Sequence, residues 1–233
     1  MANDETNQKV SAGEAIVNVL WKNRKPLIGT VVCLAVLIIG FVATLGIRDA
    51  MQVRAISRVE ALNDRYESLR FDIADPEKDG DVQALLDDLT ANAKKSFGYS
   101  SARSYSLVAA IHADRKNWEE AEQTWALAAT KGAKTYLAPV FLFNAAAAAE
   151  EYGNLDKAIE YYRQTIAAAA DFPSADFPSA ARAQFSIGRL LEAQADREGA
   201  LEAYRELIEK WPSETIWTNF ANSRILALSG LTS

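Results

Sequence analysis

An uninterrupted apolar segment near the start of the chain is its most prominent pattern. From Leu27 to Ile47, 21 residues carry no charge, and charged residues flank the segment at Lys25 and Arg48. A helix of this length, rising about 1.5 Å per residue, spans about 30 Å, which is the thickness of a bilayer's hydrocarbon core. The pattern therefore predicts one transmembrane helix over residues 26–47.

Two kinds of cleaved targeting signal are the alternatives to a permanent membrane helix. A signal peptide has a shorter apolar core of about 7–15 residues that ends in small residues, whereas this segment ends in Thr44-Leu45-Gly46. A lipoprotein signal would place small residues before its cysteine, whereas Val31 and Val32 precede Cys33. The uncleaved anchor fits the residues better than either signal.

Positive charge lies closer to the start of the apolar segment than to its end. Three cations lie just before the segment, namely Lys22, Arg24 and Lys25, whereas only Arg48 lies as close to its end. Because cytoplasmic flanks are enriched in Lys and Arg, residues 1–25 are expected to be a cytoplasmic tail. Residues 48–233 are then expected in the periplasm, with the chain crossing a bacterial inner membrane once.

The region after the apolar segment has a helical pattern throughout. Strong helix formers such as Ala, Leu, Glu, Lys and Arg dominate it, and alternation with a period of two residues is scarce. We expect an all-α region. The predicted helices cover residues 48–73, 81–96, 102–114, 117–130, 138–151, 154–170, 179–194, 197–210 and 213–228.

The first of these helices carries an apolar seam with alternating steps of four and three residues. The seam consists of Ala55, Val59, Leu62, Tyr66, Leu69 and Ile73. It is about two and a half heptads long, shorter than the three or four heptads of a sustained coiled coil. Packing on a neighbouring helix is therefore expected, and a homodimer through the helix around Val59 to Ile73 is the alternative.

A pair of one small and one aromatic residue, four positions apart, recurs three times. The pairs are Ala121 with Trp125, Ala158 with Tyr162, and Ala200 with Tyr204. The second interval is longer because residues 171–180 duplicate the sequence DFPSA. We expect this duplication to form an extended loop between repeats, with a ligand-binding loop carrying Phe172 and Phe177 as the alternative.

With these residues the sequence resembles the tetratricopeptide repeat family, whose helix pairs carry Leu-Gly in the first helix and an Ala, aromatic, Ala, Pro series in the second. The third unit matches best, with Ile187-Gly188 in the first helix and Pro212 at its end. The first two units have Val108-Ala109 and Ala145-Ala146 in place of Leu-Gly. The resemblance implies an α-solenoid of about three helix pairs.

The expected organisation is thus an all-α chain with one N-terminal transmembrane helix. A membrane-proximal helical segment (48–99), tetratricopeptide-like repeats (100–212) and a C-terminal capping helix (213–233) follow it. The capping helix is expected to turn four apolar residues inward, namely Ile216, Phe220, Ile225 and Leu228.

The resemblance also implies a protein-binding groove, because in that family the first helix of each pair lines a concave surface. The candidate groove residues at these places are Arg103, Phe143, Asn144, Arg182, Phe185 and Arg189. Asn144 and Arg182 match a carboxylate clamp found in some relatives, whereas the other clamp positions do not. Aromatic rings among arginines suit unfolded or acidic-apolar segments. The alternative places the two Phe in the core and the arginines in solvent or salt bridges.

Composition narrows the possible chemistry. The 25 Lys and Arg against 31 Asp and Glu give a net charge of −6, which disfavours a nucleic-acid partner. One His and one Cys leave little for metal clusters or Cys-His catalysis, and His112 is expected to pack in the core. Phosphate-binding glycine loops and hydrolase motifs are missing from the sequence. No catalytic residue, metal or cofactor is expected, and the chain is not expected to be an enzyme.

The layout of the chain supplies a second resemblance. A short tail with the run AIVNVLWKNRKPLIG, one membrane helix and an Ala-rich repeat domain is similar to the single-pass ancillary subunit of the bacterial Sec translocon. We therefore expect a membrane-anchored scaffold or adaptor that holds envelope proteins, emerging polypeptides or chaperones. The alternative is a self-assembling structural component of an envelope machine for motility, division or secretion.

Overall fold

A computed structural model describes Trp21, residues 24–172 and residues 178–230. Within these ranges the regular elements are helical and no strand occurs, as predicted. The α-helices, in chain order, are α1 Arg24–Leu69, α2 Asp79–Lys95, α3 Tyr99–Asp114, α4 Trp118–Lys131, α5 Ala138–Glu151, α6 Leu155–Ala170, α7 Pro178–Ala193, α8 Arg197–Lys210 and α9 Thr215–Gly230. Two short 3-10 helices, Arg70–Asp72 and Pro76–Lys78, lie between α1 and α2. The tail up to residue 20 and residues 173–177 of the duplicated segment, which include Phe177 of the candidate ligand-binding loop, lie outside the described residues.

Helix α1 contains the apolar segment and is, among the described residues, the one helix long and apolar enough to cross a membrane. It does not end at residue 47, where the sequence analysis placed a boundary. It continues to Leu69 because residues 47–69 include neither Gly nor Pro and are rich in good helix formers. The chain divides into two compact units, residues 1–51 and 52–233.

The seam on α1 packs within its own chain. Val59, Leu62, Tyr66 and Ile73 are buried in one core cluster with residues of α2 and α3. The partners are Val82, Leu85, Leu89, Leu107, Val108 and Ile111. These side chains are therefore not available as a homodimer surface, and packing on neighbouring helices is the use that the structure shows.

Three helix pairs follow, α3 with α4, α5 with α6 and α7 with α8, and each has a small residue at the predicted place. Ala121, Ala158 and Ala200 have no exposed surface, and Tyr162 and Tyr204 are buried. The turn inside each pair needs a residue in the left-handed region: Lys116 has φ 60°, Gly153 has φ 87° and Ala195 has φ 61°. Only the second unit has glycine at this place, and glycine is the residue that adopts this conformation without strain.

Gly188 shows why the third unit carries the Leu-Gly position of the family. A Cβ atom at Gly188 would lie 2.5 Å from Cε1 of Tyr204. The ring of Tyr204 on α8 thus packs directly on the backbone of α7, and only glycine leaves room for it. In the second unit alanine takes the place of this glycine, and Ala146 and Tyr162 belong to one core cluster.

The buried face of α9 differs from the sequence-based expectation. Leu228 is buried and Ile225 packs against the same cluster as predicted, but the prediction is wrong for Ile216 and Phe220, which are 64% and 51% exposed. The helix instead turns Ala221 inward, where it packs with Tyr204, Leu207 and Leu228. A small residue allows a close approach between helices, and this contact decides which face of α9 is buried.

Replacing Gly188 by alanine tests the close contact between α7 and α8. We expect Gly188→Ala to lower the free energy of unfolding by about 1–3 kcal/mol, because the added methyl group overpacks a filled site. Gly80→Ala is the matched control, since no atom lies within 4 Å of a Cβ at that helical position. Urea denaturation followed by circular dichroism measures both. Equal stability of the two variants would contradict the contact.

Candidate functional site

A cavity of about 320 Å³ opens between α5, α7 and the first turn of α9. Four of the six candidate groove residues line it: Phe143, Arg182, Phe185 and Arg189. The other lining residues are not among the six candidates, and these are Ala147, Glu150, Glu151, Tyr162, Ser186 and Trp217. We call this cavity and its rim the α5–α7–α9 groove. It lies between neighbouring first helices, which is where the repeat resemblance placed it.

Phe143 forms part of the floor of the groove and also belongs to the core. Its side chain is only 9% exposed and packs edge-to-face on Tyr162, with 5.2 Å between ring centroids. The Cζ atom of Arg182 lies 4.7 Å from the Phe143 ring centroid. An exposed guanidinium group is thus held over an aromatic floor by a cation–π contact.

The positive charge of Arg189 is balanced by an ion pair inside the groove. Its Nη2 atom lies 2.6 Å from Oε2 of Glu150, and this hydrogen bond is the main cause that raises the pKa of Arg189. The hydroxyl of Tyr162 donates to the same Glu150 oxygen over 3.4 Å. Burial, and next the Glu150 charge, raise the pKa of Tyr162 to about 12, so it remains a neutral donor near pH 7.

Phe185 lies in the groove and also contacts aromatic side chains of α9. Its ring centroid lies 5.4 Å from that of Tyr204, 5.6 Å from Trp217 and 5.9 Å from Phe220. Trp217 and Phe220 were not among the candidate groove residues. Their spacing of three positions on α9 was a signal that two aromatic side chains share one helix face.

Two candidate residues do not join the groove. Arg103 donates from Nη2 to Oδ1 of Asn63 on α1 over 2.8 Å, because the end of α1 packs against α3 in the core cluster they share. Asn144 is half-buried, does not line the cavity, and makes no side-chain hydrogen bond within the described part of the chain. Neither residue contributes to the α5–α7–α9 groove.

The position of α9 is fixed by contacts with the last helix pair. Arg224 donates from Nε to Oε1 of Glu192 on α7 over 3.0 Å, and its Nη2 also pairs with Glu192. Arg197 on α8 donates to the backbone carbonyl of Leu228. These contacts place Trp217 at the rim of the groove.

A larger cavity of about 750 Å³ lies between α4, α5 and α6. The second helices of their pairs, α4 and α6, supply most of its lining. Alanines dominate its lining, and Glu160 and Asp171 are the charged members. It has no cation and only one aromatic side chain, Tyr161, in its lining. Its chemistry gives a ligand fewer directional contacts than that of the α5–α7–α9 groove.

No metal site is evident in the described ranges, where His, Cys, Asp and Glu form no cluster of three or more that could hold an ion. His112 is half-buried on α3, and burial lowers its pKa. It therefore stays neutral near pH 7, and it is only partly buried where the sequence analysis expected it to pack in the core.

Comparisons with known proteins agree with this architecture. The sequence profile of the tetratricopeptide repeat family matches residues 182–213, which span most of α7 and all of α8. A TPR repeat-containing protein of Treponema pallidum (strain Nichols) is 36% identical over 132 residues, covering 57% of this chain. The match spans only about half of that curated relative, 52% of its length. This chain thus contains a tetratricopeptide repeat over residues 182–213.

Solved tetratricopeptide structures show the same fold. Two crystal structures of a Podosopora anserina protein, described as a kinesin light chain with nearly identical TPR-like repeats, superimpose with TM-scores of 0.55 and 0.54. Each covers 75% of this chain and 89% of its own length at 16% identity. Tetratricopeptide repeats indicate a protein–protein interaction scaffold, and proteins built from them are typically not enzymes.

The Glu192–Arg224 pair predicts an acid-sensitive contact between α7 and α9. Hydrogen bonding to Arg224 lowers the pKa of Glu192 below its usual value of 4.5. A depressed carboxyl pKa stabilises the folded state above the unfolded value, and this contribution is lost as pH falls through the folded pKa. We expect Glu192→Gln to cost about 1 kcal/mol of unfolding free energy at pH 7 and much less at pH 3.

Urea denaturation at the two pH values measures the effect. Glu209→Gln is the matched control, because Glu209 is exposed on α8. A Glu192→Gln penalty that is the same at pH 7 and pH 3 would show that the carboxylate charge does not hold α9.

Proposed function

We propose that this chain is a membrane-anchored scaffold whose α5–α7–α9 groove binds segments of other proteins. The observation that carries the proposal is the groove itself, an aromatic floor with an exposed guanidinium group above it. Aromatic side chains in a concave site, together with a charged group at the rim, are typical anchors in protein interfaces. The repeats supply the rigid stack that holds these side chains in place.

The exposed surface of α1 supports the membrane anchor. Ile39 is 68% exposed and Phe41 is 64% exposed, and their apolar neighbours along the segment are similarly exposed. A helix that is apolar on every side needs an apolar environment, and a bilayer supplies it. The cations nearest the segment are three before it and Arg48 alone after it, which favours an N-terminus in the cytoplasm and a repeat domain in the periplasm of a bacterial inner membrane.

The proposed tether to a membrane also indicates the kind of partner. A scaffold tethered there would hold envelope proteins, emerging polypeptides or chaperones, as the similarity in layout to the ancillary subunit of the Sec translocon implies. The chain's net charge of −6 makes nucleic acid an unsuitable partner. The self-assembling alternative gains no support from the helix around Val59 to Ile73, because its apolar seam is buried within the chain.

Photo-crosslinking in native membranes tests the proposal. A photoreactive amino acid at Ala147, which lines the groove, should give crosslinked protein adducts that remain in the membrane fraction after carbonate washing. The same substitution at Ala168, a half-buried alanine in the cavity between α4, α5 and α6, should give few crosslinked adducts. Labelling of no protein from Ala147, with circular dichroism showing an intact fold, would contradict the proposed groove.

A further inference from the structure

The aromatic side chains of the groove continue onto α9 beyond the cavity. The Phe220 ring centroid lies 5.9 Å from both Phe185 and Trp217, and Phe220 is 51% exposed. Phe185, Trp217 and Phe220 therefore form one continuous strip that begins in the cavity and ends in solvent. We call these three residues the aromatic strip.

The exposed face of α9 is apolar, whereas a helix face in contact with water is normally polar. Helix α9 has a single charged residue, Arg224, and this residue pairs with Glu192. Ile216, four positions before Phe220, is 64% exposed and extends the apolar face beside the strip.

The charge available in the groove is positive at one end. Arg189 is paired with Glu150, whereas Arg182 is exposed and forms no ion pair with any described residue. Glu151 lies about two helical turns from Phe143 along α5, at the other end of the cavity. A carboxylate of a ligand is therefore favoured beside Arg182 and disfavoured beside Glu151.

Arg182 and the aromatic strip lie close enough for one short segment to contact both. Arg182 and Phe185 lie three positions apart on α7, so they are neighbours on one helix face. Phe185 and Phe220 have their ring centroids 5.9 Å apart. An extended chain advances about 3.3 Å per residue, so a segment of a few residues can contact both the cation and the strip.

From this arrangement we infer the chemistry of the partner segment. It is an extended segment of another protein in which an Asp or Glu pairs with Arg182 and a large apolar side chain, a few residues away, packs on the aromatic strip. Helix α9 is then a direct part of the binding surface. The inference rests on the proposed function and adds to it the class of ligand and the role of Phe220.

Selection from a phage library of random dodecapeptides tests this inference on the full chain in lipid nanodiscs, with empty nanodiscs for counter-selection. Wild-type protein should enrich peptides with an acidic residue within a few positions of a large apolar residue. Arg182→Glu should exchange the acidic preference for a basic one. Phe220→Ser should remove the apolar preference and keep the acidic one. Arg205→Glu, at an exposed position on α8, should select the wild-type pattern.

Affinities of one selected peptide measure the size of each contact. Fluorescence anisotropy should show binding at least about fivefold weaker for Arg182→Glu and for Phe220→Ser, as expected for loss of one charge pair or one aromatic contact. Exchange of the acidic residue for lysine in the peptide should restore binding to Arg182→Glu. Circular dichroism of each variant confirms that the fold is kept.

The possible outcomes separate this inference from the proposed function. Peptides that bind wild type but respond to neither Arg182→Glu nor Phe220→Ser would overturn the inference and leave the groove standing. Failure to enrich any peptide on wild type would overturn both. A chain that is dimeric in nanodiscs and becomes monomeric with Phe220→Ser would assign the strip to a second copy and overturn the inference.

Discussion

The close packing of aromatic rings on small residues is the contact on which the rest of this structure depends. Tyr204 occupies space that exists only because residue 188 is glycine, and Tyr162 packs in one cluster with Ala146. These contacts hold the two helices of a pair close together and leave the next pair beside them. The first helices α5 and α7 consequently lie side by side, and the groove opens between them.

The same rings serve both the core and the groove. Phe143 packs on Tyr162 with one edge and carries the Arg182 guanidinium over its face. Phe185 likewise contacts Tyr204 in the core and Trp217 at the rim. The two interpretations that the sequence left open, core residue or binding residue, are therefore compatible. An aromatic floor that is fixed from below loses little conformational entropy when a partner binds.

Local sequence patterns predicted the parts of the fold that depend on neighbouring residues. The spacing of small and aromatic residues identified the three helix pairs, and the first-helix rule brought Arg182 and Phe185 to one groove. Arg103 lies outside the groove because α1, which is distant in sequence, packs against α3 and Asn63 on α1 accepts a hydrogen bond from Arg103. The prediction of the buried face of α9 was wrong in part because several faces of this helix are apolar. Periodicity alone does not choose between them. The contact of Ala221 with the α8 core decides that choice.

The central claim is that another protein occupies the α5–α7–α9 groove in the native membrane. Cysteine accessibility measures this directly: Ala147→Cys and, as control, Ala168→Cys are made in a Cys33→Ala chain and labelled with a hydrophilic maleimide. Labelling of Ala147→Cys should be several-fold slower in native membranes than in purified protein, with Ala168→Cys unchanged. Equal labelling rates of Ala147→Cys in the two preparations would contradict the account.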